Sequence, residues 1–262
     1  MIRALYTAAS GMSAQQLNLD TIANNLANSS TAGFRQTRLQ FQDMNYQNLV
    51  TPGAAQSQQT VSAGLQIGLG TKSAATEIIM TQGDLNQTNN PLDLAIQGGG
   101  FFQVSMPDGT IAYTRAGSFH LNNQGTIVTT DGDPIIPNIS IPANATAVTI
   151  TQYGVVNATL AGQQNPSQLG QIQLATFVNP GGLAAQGSNL FTTTLSSGDP
   201  VLANPGGPEG LGTLQQGYLE NSNVDVVTEF VQMVLAQRAY ESNSKVIKAA
   251  DDMYSQVNNM TH

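Results

Sequence analysis

The chain has 262 residues, enough for one large domain or two modest ones with a buried core. Only 9% of them are charged, against about 25% in ordinary soluble domains, while 40% are hydrophobic. The formal net charge of −8 argues against nucleic acid or an anionic membrane surface as partner, and the lack of cysteine excludes thiol catalysis, disulfides and cysteine-ligated metals.

Asn, Gln, Ser and Thr stand where charge would be expected, which suits a surface that meets other protein, because each buried charge would need a partner. From Glu77 to Glu220 nine acids face one base, Arg115, whereas the two ends together hold seven acids and seven bases. Two readings fit that distribution. The middle is simply kept soluble by its charge, or the neutral ends pack together and the acidic middle faces outward. No stretch approaches the roughly 18 apolar residues of a membrane span. The start, Met1-Ile2-Arg3-Ala4-Leu5-Tyr6, has no continuous apolar run before a small-residue cleavage site. The expectation is a cytoplasmic chain, or one exported by a route that reads no such signal.

In chain order, Ile2 to about Asn28 reads as a helix. Leu5, Met12, Leu19 and Leu26 recur at seven-residue spacing, a narrow seam of coiled-coil type. Gly11 costs the helix about 1 kcal/mol relative to Ala, so the segment needs a partner. Tyr46 to Gly70 is dominated by Gln, Ser, Thr and Ala, with a turn expected at Pro52-Gly53 and an unusual or close backbone at Gly64. It reads as a linker, an extended arm or a hairpin of polar strands.

From about 75 to 220 the pattern changes to β. Leu92, Leu94 and Ile96 alternate, as do Ile172 and Leu174, and Gly125 to Val128 and Val148 to Ile150 are rich in strand formers. Pro107-Asp108-Gly109, Asn122 to Gly125, Asp131-Gly132 and Asn179 to Gly182 mark turns. The Gly- and Pro-rich stretch Asn204 to Gly212 reads as a loop.

A second helix is expected from about Val224 to Met260, opened by the capping-like Ser222-Asn223-Val224-Asp225. Leu235, Ala239, Val246 and Met253 form its seam. At about 37 residues it would span roughly 55 Å. Two such helices at opposite ends of the chain suggest an antiparallel coiled coil. The fold class is therefore α+β: terminal helices (1–34 and 222–262) forming a coiled coil, an extended polar arm (35–74), and a central, mainly β domain (75–221).

Candidate chemistry is thin. Only His120 and His262 could supply imidazole, short of the three protein ligands of a catalytic zinc site. Asp131-Gly132-Asp133 lacks the ligand spacing and distal Glu of a calcium loop. Gly98-Gly99-Gly100 matches neither phosphate-binding fingerprint. Pairs of acids for glycoside hydrolysis could be drawn from any acidic domain. No catalytic residue, cofactor or metal is expected.

Two motifs at opposite ends carry a resemblance. Ile22 to Asn28, including Asn24, Asn25 and Asn28, followed by Ser30-Thr31-Ala32-Gly33-Phe34-Arg35, resembles the N-terminal signature of the flagellar rod and hook axial protein family. Ser222 to Asp225, with Gln237-Arg238-Ala239-Tyr240-Glu241 and Asn243 to Ile247, resembles its C-terminal signature. Gln82-Gly83-Asp84-Leu85, Gln97 to Phe102 and Tyr113 to Phe119 are similar to the family's domain core. Pro52-Gly53-Ala54 and Gly64 to Gly68 are similar to the polar stretch of its distal-rod members.

The resemblance implies a structural subunit and not an enzyme: a helical homopolymer forming a rigid hollow shaft between motor and hook. It further implies a channel inside the helices and a rod that crosses the periplasm within the basal body. Partners would be other copies, proximal rod and hook subunits, the surrounding P and L rings, and the flagellar type III export apparatus, with no nucleic acid and no membrane insertion. A proximal rod or hook subunit, or a cell-wall glycan-binding or hydrolase module, stays open as an alternative.

Overall fold

The computed structural model describes residues 2–50, 55–56, 59–60, 64–163, 165–207 and 211–260. They form two compact units. One comprises 1–27, 37–78 and 225–262; the other comprises 28–36 and 79–224.

The first unit is built on two helices, α1 (Ile2–Ala27) and α2 (Val226–Met260). They run antiparallel: Asn25 of α1 reaches Glu229 of α2, while Gly11 lies against Asn243. A Cβ at Gly11 would sit 2.9 Å from the Asn243 amide nitrogen, so the helix tolerates this glycine where the partner comes close. Ala8, Ala14, Ile22 and Asn25 are buried on α1, and Leu5, Met12, Leu19 and Leu26 are half-buried.

On α2 the covered stripe includes Glu229, Met233, Ala236, Ala239, Asn243, Ile247 and Ala250, spaced by threes and fours. Of the seam expected from sequence, Ala239 falls on this stripe and the other three residues lie outside it. Leu235, Val246 and Met253 are 64%, 45% and 47% exposed, and Ala239 is half-buried. The packed stripe of α2 mixes the small residues Ala236, Ala239 and Ala250, which let helices approach, with Met233 and Ile247, while Leu235, Val246 and Met253 stay exposed.

The same unit carries a nested antiparallel ladder. Thr37–Asp43 pairs with Thr71–Ile78, Tyr46–Val50 with Leu65–Gly68, and Ala55–Gln56 with Gln59–Thr60. Of the three readings open for Tyr46 to Gly70, its described parts are paired strands. Arg38 faces Glu77 across the ladder, with the ion pair at 2.9 Å, and that contact and a hydrogen bond from Gln40 hold the Glu77 carboxyl below its ordinary range. The strands are less polar than their composition suggests, since Phe41, Met44, Tyr46, Leu49, Leu65 and Ile67 are exposed apolar side chains. Gly64 is half-buried just before the strand Leu65–Gly68; Pro52 and Gly53 fall outside the described residues.

The second unit is β throughout. Its largest sheet runs, in spatial order, Ala184–Gly187, Leu190–Thr192, Ile111–Thr114, Phe101–Ser105, Leu174–Thr176 and Val201–Ala203, with Ile135–Ile136 also paired to Phe101–Ser105. A three-stranded sheet, Ala145–Ile150, Val155–Leu160 and Ser167–Gln171, completes one wall. Leu94–Gln97 pairs with Thr213–Gln216 and Leu85–Gln87 with Tyr218–Glu220, so the two ends of the unit's long segment are zipped together.

One core gathers Leu94, Ile96, Phe102, Phe119, Val156, Ile172 and Leu174, all almost fully buried. Each large apolar side chain so buried gains about 1.5–3 kcal/mol. Phe102 meets Phe119 edge to face at 5.1 Å, an arrangement favoured by the ring quadrupoles.

Candidate assembly site

The motif residues converge on two polar knots, one in each unit. In the helical unit Asn25 is 2% exposed and serves the base of the ladder. Its Oδ1 accepts the Thr37 N–H at 2.9 Å, and its Nδ2 donates to the Thr37 carbonyl at 2.8 Å and to Glu229 Oε2 at 3.3 Å. One side-chain amide thus finishes a strand edge and reaches α2. Glu229, 1% exposed, lies in the first turn of α2, where the helix dipole favours negative charge.

Asp225 caps that turn. Its Oδ1 accepts the Val227 N–H at 3.0 Å and its Oδ2 the Thr228 hydroxyl at 2.7 Å. The Thr228 hydroxyl and then the backbone N–H groups hold the Asp225 carboxyl below its ordinary pKa. The helix therefore starts at Val226, two residues later than expected, with Asp225 as its cap.

In the β unit the hub is Glu220, with a side chain exposing 0% of its surface. Its Oε1 lies 2.7 Å from Arg35 Nη2 and accepts the Gly83 N–H at 2.9 Å. Its Oε2 lies 3.1 Å from Arg115 Nε in a buried charge contact. Its backbone carbonyl accepts the Gly33 N–H at 2.8 Å. Gly33 sits at φ 73°, and a Cβ there would lie 2.5 Å from the Ala116 nitrogen, so both conformation and space demand glycine.

Arg115 donates from Nη1 to Gly100 O at 2.7 Å and from Nη2 to Gly98 O at 2.8 Å, which explains the Gly98-Gly99-Gly100 run as an exposed-carbonyl loop. Burial is the main influence on Arg115, lowering it to about 10; Glu220 opposes the shift and Arg35 adds to it. It stays protonated at neutral pH. Close by, Asn223 accepts the Gln36 N–H at 2.7 Å and donates to Ile79 O at 2.9 Å and Thr81 O at 3.1 Å, joining both segments of the unit.

Other sequence-predicted residues are placed as follows. Asn28 accepts the Thr31 hydroxyl at 3.2 Å and is half-buried, as is Phe34. Asn24, Gln237, Arg238 and Tyr240 are exposed. Arg238 pairs with Glu241 at 3.1 Å, but both side chains are more than half exposed and such a pair adds little. His120 is exposed on a short strand. Among the described residues no three His, Asp or Glu side chains gather as a metal site, and no helix is long and apolar enough to cross a membrane.

Sequence reading alone gave Glu220 no role; it placed Asn223 in the motif before the second helix and Glu229 near that helix's start, but not their contacts. One signal existed for the first: Arg115 is the only base between Glu77 and Glu220, and it stands between strand formers where an unpaired charge would be costly.

These pieces coincide with known families. Residues 5–35 match the family model described as flagella basal body rod protein, 95–158 the flagellar hook protein FlgE/F/G D1 domain, and 215–260 the flagellar basal body rod FlgEFG protein C-terminal. The chain is 51% identical to flagellar basal-body rod protein FlgG of Caulobacter vibrioides, over 96% of this chain and 97% of that one. It is 47% identical to the protein of that name from Buchnera aphidicola subsp. Acyrthosiphon pisum, over 99% and 100% of the two chains. A third, from Borreliella burgdorferi, is 47% identical over 99% of each. The first and last matched stretches hold Gly33 with Arg35 and Glu220 with Asn223, the residues that knot the two ends of the chain, and the chain belongs to the flagellar basal-body rod protein family.

Proposed function

We propose that this structural subunit of the flagellar basal-body rod builds the rod's distal part, polymerising into a rigid hollow helical shaft that carries torque to the hook and encloses the export channel. The observation that carries this reading is the uncovered side of α2, where Val227, Phe230, Val231, Val234, Leu235 and Val246 are all exposed. Apolar surface left in water costs about 25 cal/mol per Å², and a continuous exposed patch of this kind marks a protein interface. Further copies of the chain supply the cover, through coiled-coil contacts of the terminal helices.

In this reading the protein bears load and catalyses nothing. Proximal rod and hook subunits adjoin it at its two ends, the P and L rings surround it, and the flagellar type III apparatus exports it. Val246→Asp tests the interface. Val246 is exposed in the monomer, so its folding free energy should change by no more than about 0.5 kcal/mol. Incorporation into rods should nevertheless be lost, since each subunit would bring an unpaired charge to an apolar contact. Normal rods from this variant would overturn the assignment of this face.

The Tyr46 to Gly70 stretch is the part of this reading that makes the shaft stiff, by bridging neighbouring copies through its exposed apolar side chains and free strand edges. Deleting Thr51 to Ala63, or replacing Gly53 by Arg or Gly64 by Val, should leave the β unit folded and give short or bendable tubes. Electron micrographs showing rods as straight and as long as before would reduce the stretch to a passive tether.

A further inference from the structure

The interior of the β unit holds two guanidiniums for one carboxylate. The side chains of Arg35, Arg115 and Glu220 are 1%, 4% and 0% exposed, which leaves one buried positive charge without a counter-charge in the cluster. The donors are used unequally. Arg115 places both terminal nitrogens on backbone carbonyls and its Nε against Glu220. Arg35 uses Nη2 alone; its Nε and Nη1 are buried and take part in no hydrogen bond. Glu220 Oε1 already serves both Arg35 and the Gly83 N–H.

Both arginines line one surface depression of about 270 Å³, together with Met80, Gln82, Gly99 and Thr176. No acidic residue is among the described residues that line it. An unsatisfied buried guanidinium is costly, and the ligands that satisfy it best are oxyanions, whose oxygens match its planar donors. The depression is smaller than the roughly 300–1,000 Å³ of pockets for drug-sized ligands, which fits a small ion or one side chain.

We propose that this depression is a binding site for a small oxyanion, drawn by the net positive charge of the Arg35–Glu220–Arg115 cluster, whose unbonded Arg35 donors lie beneath its surface. Two sources offer that chemistry: free inorganic phosphate, and an Asp or Glu carboxylate of a second copy of this acidic chain. Neither depends on the rod reading for its test on the monomer.

The test uses the full-length soluble monomer and inorganic phosphate, with sodium chloride at matched ionic strength as control. The unfolding temperature should rise with phosphate and not with chloride. Met80→Glu places a carboxylate in the depression without touching the cluster. It should melt above wild type at pH 7 and lose the phosphate response, while Met80→Gln keeps the response. A response that survives unchanged in Met80→Glu is general salt stabilisation and overturns the site. Polymerisation assays then separate the sources. Phosphate that slows wild-type assembly assigns the site to a neighbour's carboxylate, and assembly untouched by phosphate assigns it to the free ion. No phosphate effect on either melting or assembly overturns the proposal.

Discussion

In the β unit Ile96, Phe102, Val104, Val156, Ile172 and Leu174 expose none of their surface, whereas Val227, Val234 and Leu235 on α2 expose more than half of theirs. The ion pairs follow the same division. Glu220 is enclosed by two arginines and a backbone N–H, while the Arg38–Glu77 and Arg238–Glu241 pairs of the helical unit stand in solvent. The β unit closes one large hydrophobic core within a single chain, although Val178 and Leu195 stay exposed on its surface. The helical unit is only half covered, and its remaining apolar surface is where a polymer gains free energy that a monomer cannot. A subunit that must stay soluble before assembly and grip its neighbours afterwards needs both behaviours in one sequence.

The sharpest way to break that comparison is at Glu220. Glu220→Gln removes the carboxylate that, among the described residues, alone pairs with two enclosed guanidiniums, and breaking a buried pair in this manner costs about 3–5 kcal/mol. Urea denaturation followed through the β unit should show the full loss. A cost under about 1 kcal/mol would mean that the arginines find compensation elsewhere, and the β unit would not be organised around this hub.

A smaller effect is expected at the other knot. Asn25→Ala deletes the side chain that both accepts from and donates to the Thr37 backbone, leaving buried polar groups unserved at about 1–3 kcal/mol. The loss belongs to the helical unit. Amide exchange should quicken at Thr37 and along the Thr71–Ile78 strand, while protection in Leu94–Gln97 and Phe101–Ser105 stays as before. Equal loss in both units would erase the distinction between them.

How far the sequence foretold this structure also divides along the same line. α1 was expected from Ile2 to about Asn28 and runs to Ala27; α2 was expected from about Val224 and starts at Val226. The turns at Pro107 to Gly109, Asn122 to Gly125 and Asp131-Gly132 are present, because glycine and Asx side chains set them locally. The pairing of Leu94–Gln97 with Thr213–Gln216 had no local trace, since neither strand's pattern specifies a partner so distant in sequence. Glu220 was hinted at only by the lone base Arg115, which demands a partner without naming it. Its meaning depends on Arg35 and Arg115, which only the folded chain brings to it.

Of the α2 seam, Ala239 lies on the stripe that meets α1, whereas Leu235, Val246 and Met253 lie outside it, for a different cause. Periodicity gives the spacing of an apolar stripe but not which of two adjacent stripes meets α1. On a helix that carries apolar residues on more than one side, the larger set drew attention while Ala236 and Ala250 took the contact.

The finest expected effect is at the cap of that helix, and it concerns pH. The Asp225 carboxylate accepts from the Thr228 hydroxyl and from backbone N–H groups at the start of α2, and its pKa lies below the ordinary 3.8. A carboxyl with a depressed folded-state pKa stabilises the fold above its unfolded value, and that contribution disappears as pH falls through the folded value. The cap is therefore complete at neutral pH, begins to weaken only below about pH 4, and is gone once the carboxyl is protonated. Asp225 is exposed, so the consequence is local: the first turn of α2 frays and the rest of the helix remains. An NMR titration of the Asp225 carboxyl should give a midpoint below 3.8, moving up towards it in Thr228→Val, where the strongest of these bonds is gone. Asp225→Asn should keep a cap, since Asn serves that position nearly as well, and should remove the pH dependence of the first turn. A midpoint at or above 3.8 in the wild-type chain would show that the carboxylate does not hold the helix start, and the entry into α2 would then rest on Glu229 and the Asn25 contact alone.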